Sequence, residues 1–174
     1  LEGDVIKSQQ AFAIYDGKLG WLGNLEYLTP NSGYMLFTQQ PASIRFPSRG
    51  LFSPSVAQKS LQKAGALPVD WELDPAAYEH NMSIVAEVKG PQAFRAGHAD
   101  VLGVFEGNAC VGLAQAKQIP ASGAQRYFIT AHSNQPASVL HFRFYDASAE
   151  KVLSVKDTLK FSMNGVKGGL QEPV

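Results

Sequence analysis

Alternation of side-chain character with a period of two, repeated through the second half of the chain, restricts its fold more than any other feature. Met82, Ile84, Ala86 and Val88 alternate with Ser83, Val85, Glu87 and Lys89. Tyr127, Ile129 and Ala131 alternate with Arg126, Phe128 and Thr130, and Leu140, Phe142 and Phe144 with His141, Arg143 and Tyr145. Successive residues of a strand point to opposite faces, so these runs predict strands with one face on a core.

Turn residues divide the runs. Glu106-Gly107-Asn108-Ala109 stands between Val101–Phe105 and Cys110–Ala114 as a hairpin signature, and Ser122-Gly123, Ser133-Asn134 and Asn164-Gly165 mark further turns. Seven strands are predicted after residue 70, over 82–88, 100–105, 110–115, 126–132, 138–145, 151–155 and 158–163. Short strands at such even spacing suggest a sandwich. Before residue 48 four more are predicted, at Val5–Ser8, Phe12–Asp16, Tyr34–Gln39 and Ile44–Pro47. This N-terminal unit is too small to bury much by itself, so it either packs on the second unit or belongs to a longer module. Between them, Val56–Ala64 has the spacing of a short helix, with Ser55 as N-cap and Gly65 beyond its end, or is plain loop. The expected architecture is all-β: an antiparallel β-sandwich, Ig-like or jelly-roll-like, over 71–174, preceded by a small β unit over 1–47 and a connector over 48–70.

Composition excludes several classes. Fifteen basic and fifteen acidic residues cancel, which argues against nucleic acid or an anionic membrane as partner. Cys110 is the lone cysteine, so no internal disulfide forms. No apolar run approaches the roughly 18 residues of a membrane span. The opening Leu1-Glu2-Gly3-Asp4 is neither basic nor followed by an apolar core; a segment excised from something longer is the expectation.

Two patterns carry a family resemblance. Residues 3–37 read GDVIKSQQAFAIYDGKLGWLGNLEYLTPNSGYMLF. The second pattern runs Tyr78-Glu79-His80-Asn81-Met82, then Asp100 to Gly112, then Phe142-Arg143-Phe144-Tyr145-Asp146-Ala147. Both resemble β-rich modules recurring near the C-termini of large secreted and cell-surface proteins of Bacteroidota and related phyla, cargo of type IX secretion. The resemblance implies an extracellular or cell-surface location, a structural role beside other domains of the same parent protein, and no assigned activity. In that family the first module usually has an upstream half, which this chain lacks.

Catalytic signatures such as G-x-S-x-G, H-E-x-x-H and the P-loop are missing. Glu79, Glu87, Asp100 and Glu106 offer carboxylates for a glycosidase, but no motif pairs them. His80, His98, His132 and His141 fall in separate segments without metal-ligand spacing. Asp70, Asp74 and Asp100, with Glu72, are the oxygen donors nearest to a structural calcium site, although no D-x-D-x-D-G loop is present; solvated carboxylates and turn caps are the simpler reading. Cys110 reads as a small buried apolar side chain, and Asp146-Ala147-Ser148 as a turn capped by its aspartate. No cofactor is expected.

Two binding surfaces stand out. Trp21, flanked by Gly20 and Gly23, is a candidate platform for a sugar ring, whose C–H faces stack on a flat aromatic; a core tryptophan is the simpler reading, and Trp71 is a second such aromatic. His141, Arg143 and Tyr145 share one strand face at about 7 Å intervals, as a strip for glycan or partner protein, a face covered by the N-terminal unit, or a solvated face. The sequence therefore supports a non-catalytic structural or presentation module, adhesive in character. Carbohydrate binding and self-assembly through unpaired sheet edges are the alternatives.

Overall fold

The computed structural model describes residues 1–43, 68–90, 94, 96–120 and 122–174. Among them lie twelve strands: β1 (Val5–Lys7), β2 (Phe12–Asp16), β3 (Gly20–Gly23), β4 (Met35–Phe37), β5 (His80–Ala86), β6 (Val101–Glu106), β7 (Ala109–Gln115), β8 (Lys117–Gln118), β9 (Gln125–Ser133), β10 (Val139–Asp146), β11 (Lys151–Lys160) and β12 (Val166–Lys167). One 3-10 turn, Pro75–Ala77, is the only helix among the described residues. The fold is all-β and sandwich-like. The helix expected over Val56–Ala64 and the strand expected over Ile44–Pro47 lie outside the described residues.

Three four-stranded sheets form three layers. The N-terminal sheet has the order β3-β2-β1-β4, the central sheet β12-β5-β9-β8 and the outer sheet β11-β10-β6-β7. All pairings are antiparallel except β12 with β5. The main core fills the gap between the central and outer sheets: Met82, Ile84 and Ala86 of β5 and Tyr127, Ile129 and Ala131 of β9 meet Leu102, Val104, Phe142 and Phe144. This is the core that the alternation predicts.

The opposite face of the central sheet departs from the expectation of a single buried face. Val85 and Phe128 join Val5, Phe12 and Ile14 of the N-terminal sheet in a second core, closed by Ile119 and Leu170. Phe12 and Phe128 meet ring to ring at 5.9 Å. Polar tethers run alongside: the Asn24 amide donates to the Phe128 carbonyl at 3.3 Å, that of Asn81 to the Gln9 carbonyl at 3.2 Å, and Lys117 Nζ to the Gly23 carbonyl at 2.8 Å. The N-terminal sheet thus packs on the sandwich through the central sheet. It does not cover the His141–Arg143–Tyr145 face, which belongs to the outer sheet.

Local chemistry explains the hairpins. In the β6–β7 hairpin a two-residue turn, Gly107-Asn108, joins Glu106 to its partner Ala109, with Gly107 in the left-handed region at φ 60°. Asp146 Oδ1 accepts the backbone N–H of Ser148 at 2.9 Å and of Ala149 at 3.1 Å, as the turn reading requires. The two strands expected at 151–155 and 158–163 are one strand, β11. Its pairing with β10 shifts between His141↔Thr158 and Arg143↔Ser154, so two extra β11 residues are absorbed as a bulge rather than a break.

Candidate functional site

The outward face of the N-terminal sheet carries a cavity of about 490 Å³, lined by Ile6, Ala13, Trp21, Leu25, Glu26, Tyr27, Leu28 and Leu36, with Asp4, Thr38 and Ser43 among its polar groups. The floor follows from strand register. Ile6 pairs with Ala13 and Leu36, and Ala13 with Gly23, so Ile6, Ala13 and Leu36 sit abreast on the face away from the core. Trp21 pairs with Tyr15 on the same face, and the two rings meet edge to face at 5.4 Å. Asp16 sets the hairpin that delivers Trp21: its Oδ1 accepts the N–H groups of Lys18 and Leu19, both at 2.9 Å. These two bonds hold its carboxyl below the usual carboxylate range.

The wall of the groove is the loop after β3. Asn24 Oδ1 accepts the Phe12 N–H at 2.9 Å, anchoring the loop's start. Tyr34 closes it, its hydroxyl accepting the Thr29 N–H at 2.7 Å. Tyr27 and Leu28 between these anchors are 55% and 43% exposed, and Trp21 is 48% exposed. Polar groups stand at the edge: Glu26 pairs with Lys117 at 3.3 Å, and Asp4 Oδ1 accepts the Gln39 N–H at 2.8 Å. An apolar, aromatic-lined groove of a few hundred Å³ with sparse polar groups is what small-ligand sites share.

Trp21 is therefore half exposed, not the core tryptophan that is the simpler reading of its glycine-flanked run. Tyr27, Leu28 and Leu36 were not legible as its companions, and the run Leu25–Leu28 gives one signal only: apolar residues with no strand period beside a turn.

The other sequence candidates distribute elsewhere. His141, Arg143 and Tyr145 do share the outer face of the outer sheet, opposite Phe105, Gly103 and Val101 of β6. The Arg143 guanidinium lies over the Phe105 ring at 4.1 Å and donates to Asn108 Oδ1 at 3.3 Å. Trp71 packs edge-on to that same Phe105 at 5.2 Å, and its ring fills the space a side chain at position 103 would need. Trp71 is thus spent on packing, and the arginine's charge is engaged within the fold. Cys110 is buried, and burial pushes its thiol up.

Asp70, Asp74 and Asp100 are not brought together. Asp74 caps the 3-10 turn by accepting the Ala76 N–H at 3.0 Å. Asp100 is buried, its two oxygens accepting the N–H groups of Gly97 at 2.6 Å and Ala147 at 2.9 Å. Asp70 is exposed. Among the described residues no group of three or more His, Cys, Asp or Glu side chains is placed to hold a metal ion.

Comparison with known proteins finds no matching family model, no similar curated protein and no similar solved structure.

Proposed function

We propose that this chain is a non-catalytic adhesive module of a larger secreted or cell-surface bacterial protein, and that the groove on its N-terminal sheet takes a sugar ring of a polysaccharide or surface glycan. The observation that carries the reading is Trp21, half exposed on the edge strand β3 and facing a groove walled by Tyr27 and Leu28. The exposed rings supply faces for sugar C–H groups, and Asp4, Glu26, Thr38 and Ser43 supply partners for hydroxyls. Location and the company of other domains rest on the resemblance to Bacteroidota secretion cargo. No helix among the described residues is long and apolar enough to cross a membrane.

The test is a pull-down on insoluble polysaccharides and a glycan array, with Trp21→Ala, Tyr27→Ala and, on the distant outer sheet, Tyr145→Ala. Saturable binding lost in the first two variants and kept in the third supports the groove. Binding lost only in Tyr145→Ala moves the site to the outer sheet; a folded protein that binds no glycan overturns the reading.

A second reading has its own observation. β4 is an edge strand, and Met35, Leu36 and Phe37 are all exposed on it. Such an edge can accept a strand from a neighbouring molecule. Concentration-dependent association in sedimentation, abolished by Leu36→Lys, would favour self-assembly over glycan capture.

A further inference from the structure

Between the N-terminal and central sheets lie buried polar atoms that neither the core nor the groove uses. Lys7 Nζ, Asn81 Oδ1, Ser83 Oγ, Thr130 Oγ1 and His132 Nδ1 are all sealed from solvent, and none has a hydrogen-bond partner among the described residues. Register brings them together. Ser83 pairs with Thr130 and Asn81 with His132, side by side on the face of the central sheet that the N-terminal sheet covers. Lys7 pairs with Phe12, whose ring meets Phe128, and Phe128 lies two residues before Thr130 on the same face of β9. Lys7 is also close enough to disfavour protonation of His132.

The chemistry of the set is lopsided. Lys7 is 1% exposed, and among the described residues no salt bridge includes it. Its burial lowers its pKa to about 8, which leaves it charged at neutral pH. A buried, uncompensated cation is among the least favourable arrangements a fold can contain. On the facing sheet the paired Ser83 and Thr130 carry two buried hydroxyls free to donate. The Asn81 amide nitrogen already donates to the Gln9 carbonyl, so its Oδ1 faces inward as an acceptor, matched to an ammonium proton. A water molecule would satisfy the hydroxyls and leave the charge unbalanced; an anion does both.

We propose that this seam is a binding site for a small monovalent inorganic anion, held by the Lys7 ammonium and the Ser83 and Thr130 hydroxyls. The anion then bridges the N-terminal and central sheets, and it acts as a structural ligand of the native state.

The experiment is urea unfolding of the whole chain in sodium chloride, and in sodium gluconate of equal ionic strength, beside crystals soaked in sodium bromide. Chloride should raise the apparent folding constant in a saturable manner, about elevenfold at ten times its dissociation constant, and bromide should show an anomalous peak beside Lys7. Lys7→Met should fold and lose the chloride dependence. If that variant does not fold, Thr130→Val, which removes one donor and keeps the shape, should weaken it. Equal midpoints in chloride and gluconate, a bromide-free seam holding water only, or a Lys7→Met protein that keeps the dependence would each overturn the proposal.

Discussion

The contact of Phe12 with Phe128 decides whether the N-terminal sheet is an appendage or a layer of one cooperative body. Both rings are buried to within a few per cent, so truncation of either to alanine should cost about 3–5 kcal/mol, transfer and cavity together. With a urea slope of about 2 kcal/mol per molar, the midpoint should fall by about 1.5–2.5 M. The chain has a natural reporter on each side: Trp21 on β3 and Trp71 against the outer sheet. Trp71→Phe leaves the first to be read alone by fluorescence, and Trp21→Phe the second. If the three layers unfold together, both reporters give the same midpoint in the parent protein and the same downward shift in Phe128→Ala. A double-mutant cycle of Phe12→Ala with Phe128→Ala should return a coupling of about 0.5–1.5 kcal/mol. The reasoning is refuted if Phe128→Ala lowers only the Trp21 midpoint, or if Trp21 reports an earlier transition in the parent protein. Either result would make the second core an interface between independent units.

Three further outcomes are expected. A Cβ at Gly112 would stand 2.8 Å from the Thr130 carbonyl and 3.0 Å from Ala131 Cα; Gly112→Ala should therefore destabilise by about 1–3 kcal/mol in urea unfolding, by forcing β7 away from β9. The Tyr127 hydroxyl is buried without a partner among the described residues, and burial pushes its pKa well above the usual range; Tyr127→Phe should be neutral or stabilising by up to about 1 kcal/mol, and a larger loss would reveal a bound water. Burial, and then the nearby Lys7, hold His132 below its ordinary value of 6.5. The unfolded chain then binds more protons, so His132's contribution is full above pH 6.5 and is lost as pH falls toward the native value; His132→Gln should flatten that part of the stability profile between pH 7.5 and 5.5.

Much of the fold is legible in the sequence because side-chain alternation is a local property. The faces of β5, β9 and β10 and the β6–β7 turn can be read without knowing what they touch. β8 and β12 cannot, since two-residue strands exist only through the partner that pairs with them. Nor can the second buried face of the central sheet. Val85 and Phe128 break the polar series on that face, but only the docked N-terminal sheet gives the breaks a reason. The groove was half legible. Trp21 beside two glycines is open to both an exposed and a core reading, whereas Tyr27 and Leu28 reach the same face from a loop whose path is set by Asn24 and Tyr34. Asp100 reads as a free oxygen donor in sequence and proves to be committed to two backbone amides.

The double-sided burial of β9 has a consequence for how this chain can change. In most half-buried strands a one-residue slip exchanges a wet face for a dry one. In β9 it would present Phe128, Thr130 and His132 to the outer sheet and Tyr127, Ile129 and Ala131 to the N-terminal sheet, spoiling two interfaces at once. An insertion or deletion within Gln125–Ser133 therefore has no tolerant side on which to be absorbed, whereas β11, exposed along most of its length, already accommodates two surplus residues. Length variation among descendants of this chain should accumulate at the sheet margins and leave the middle strand's residue count untouched.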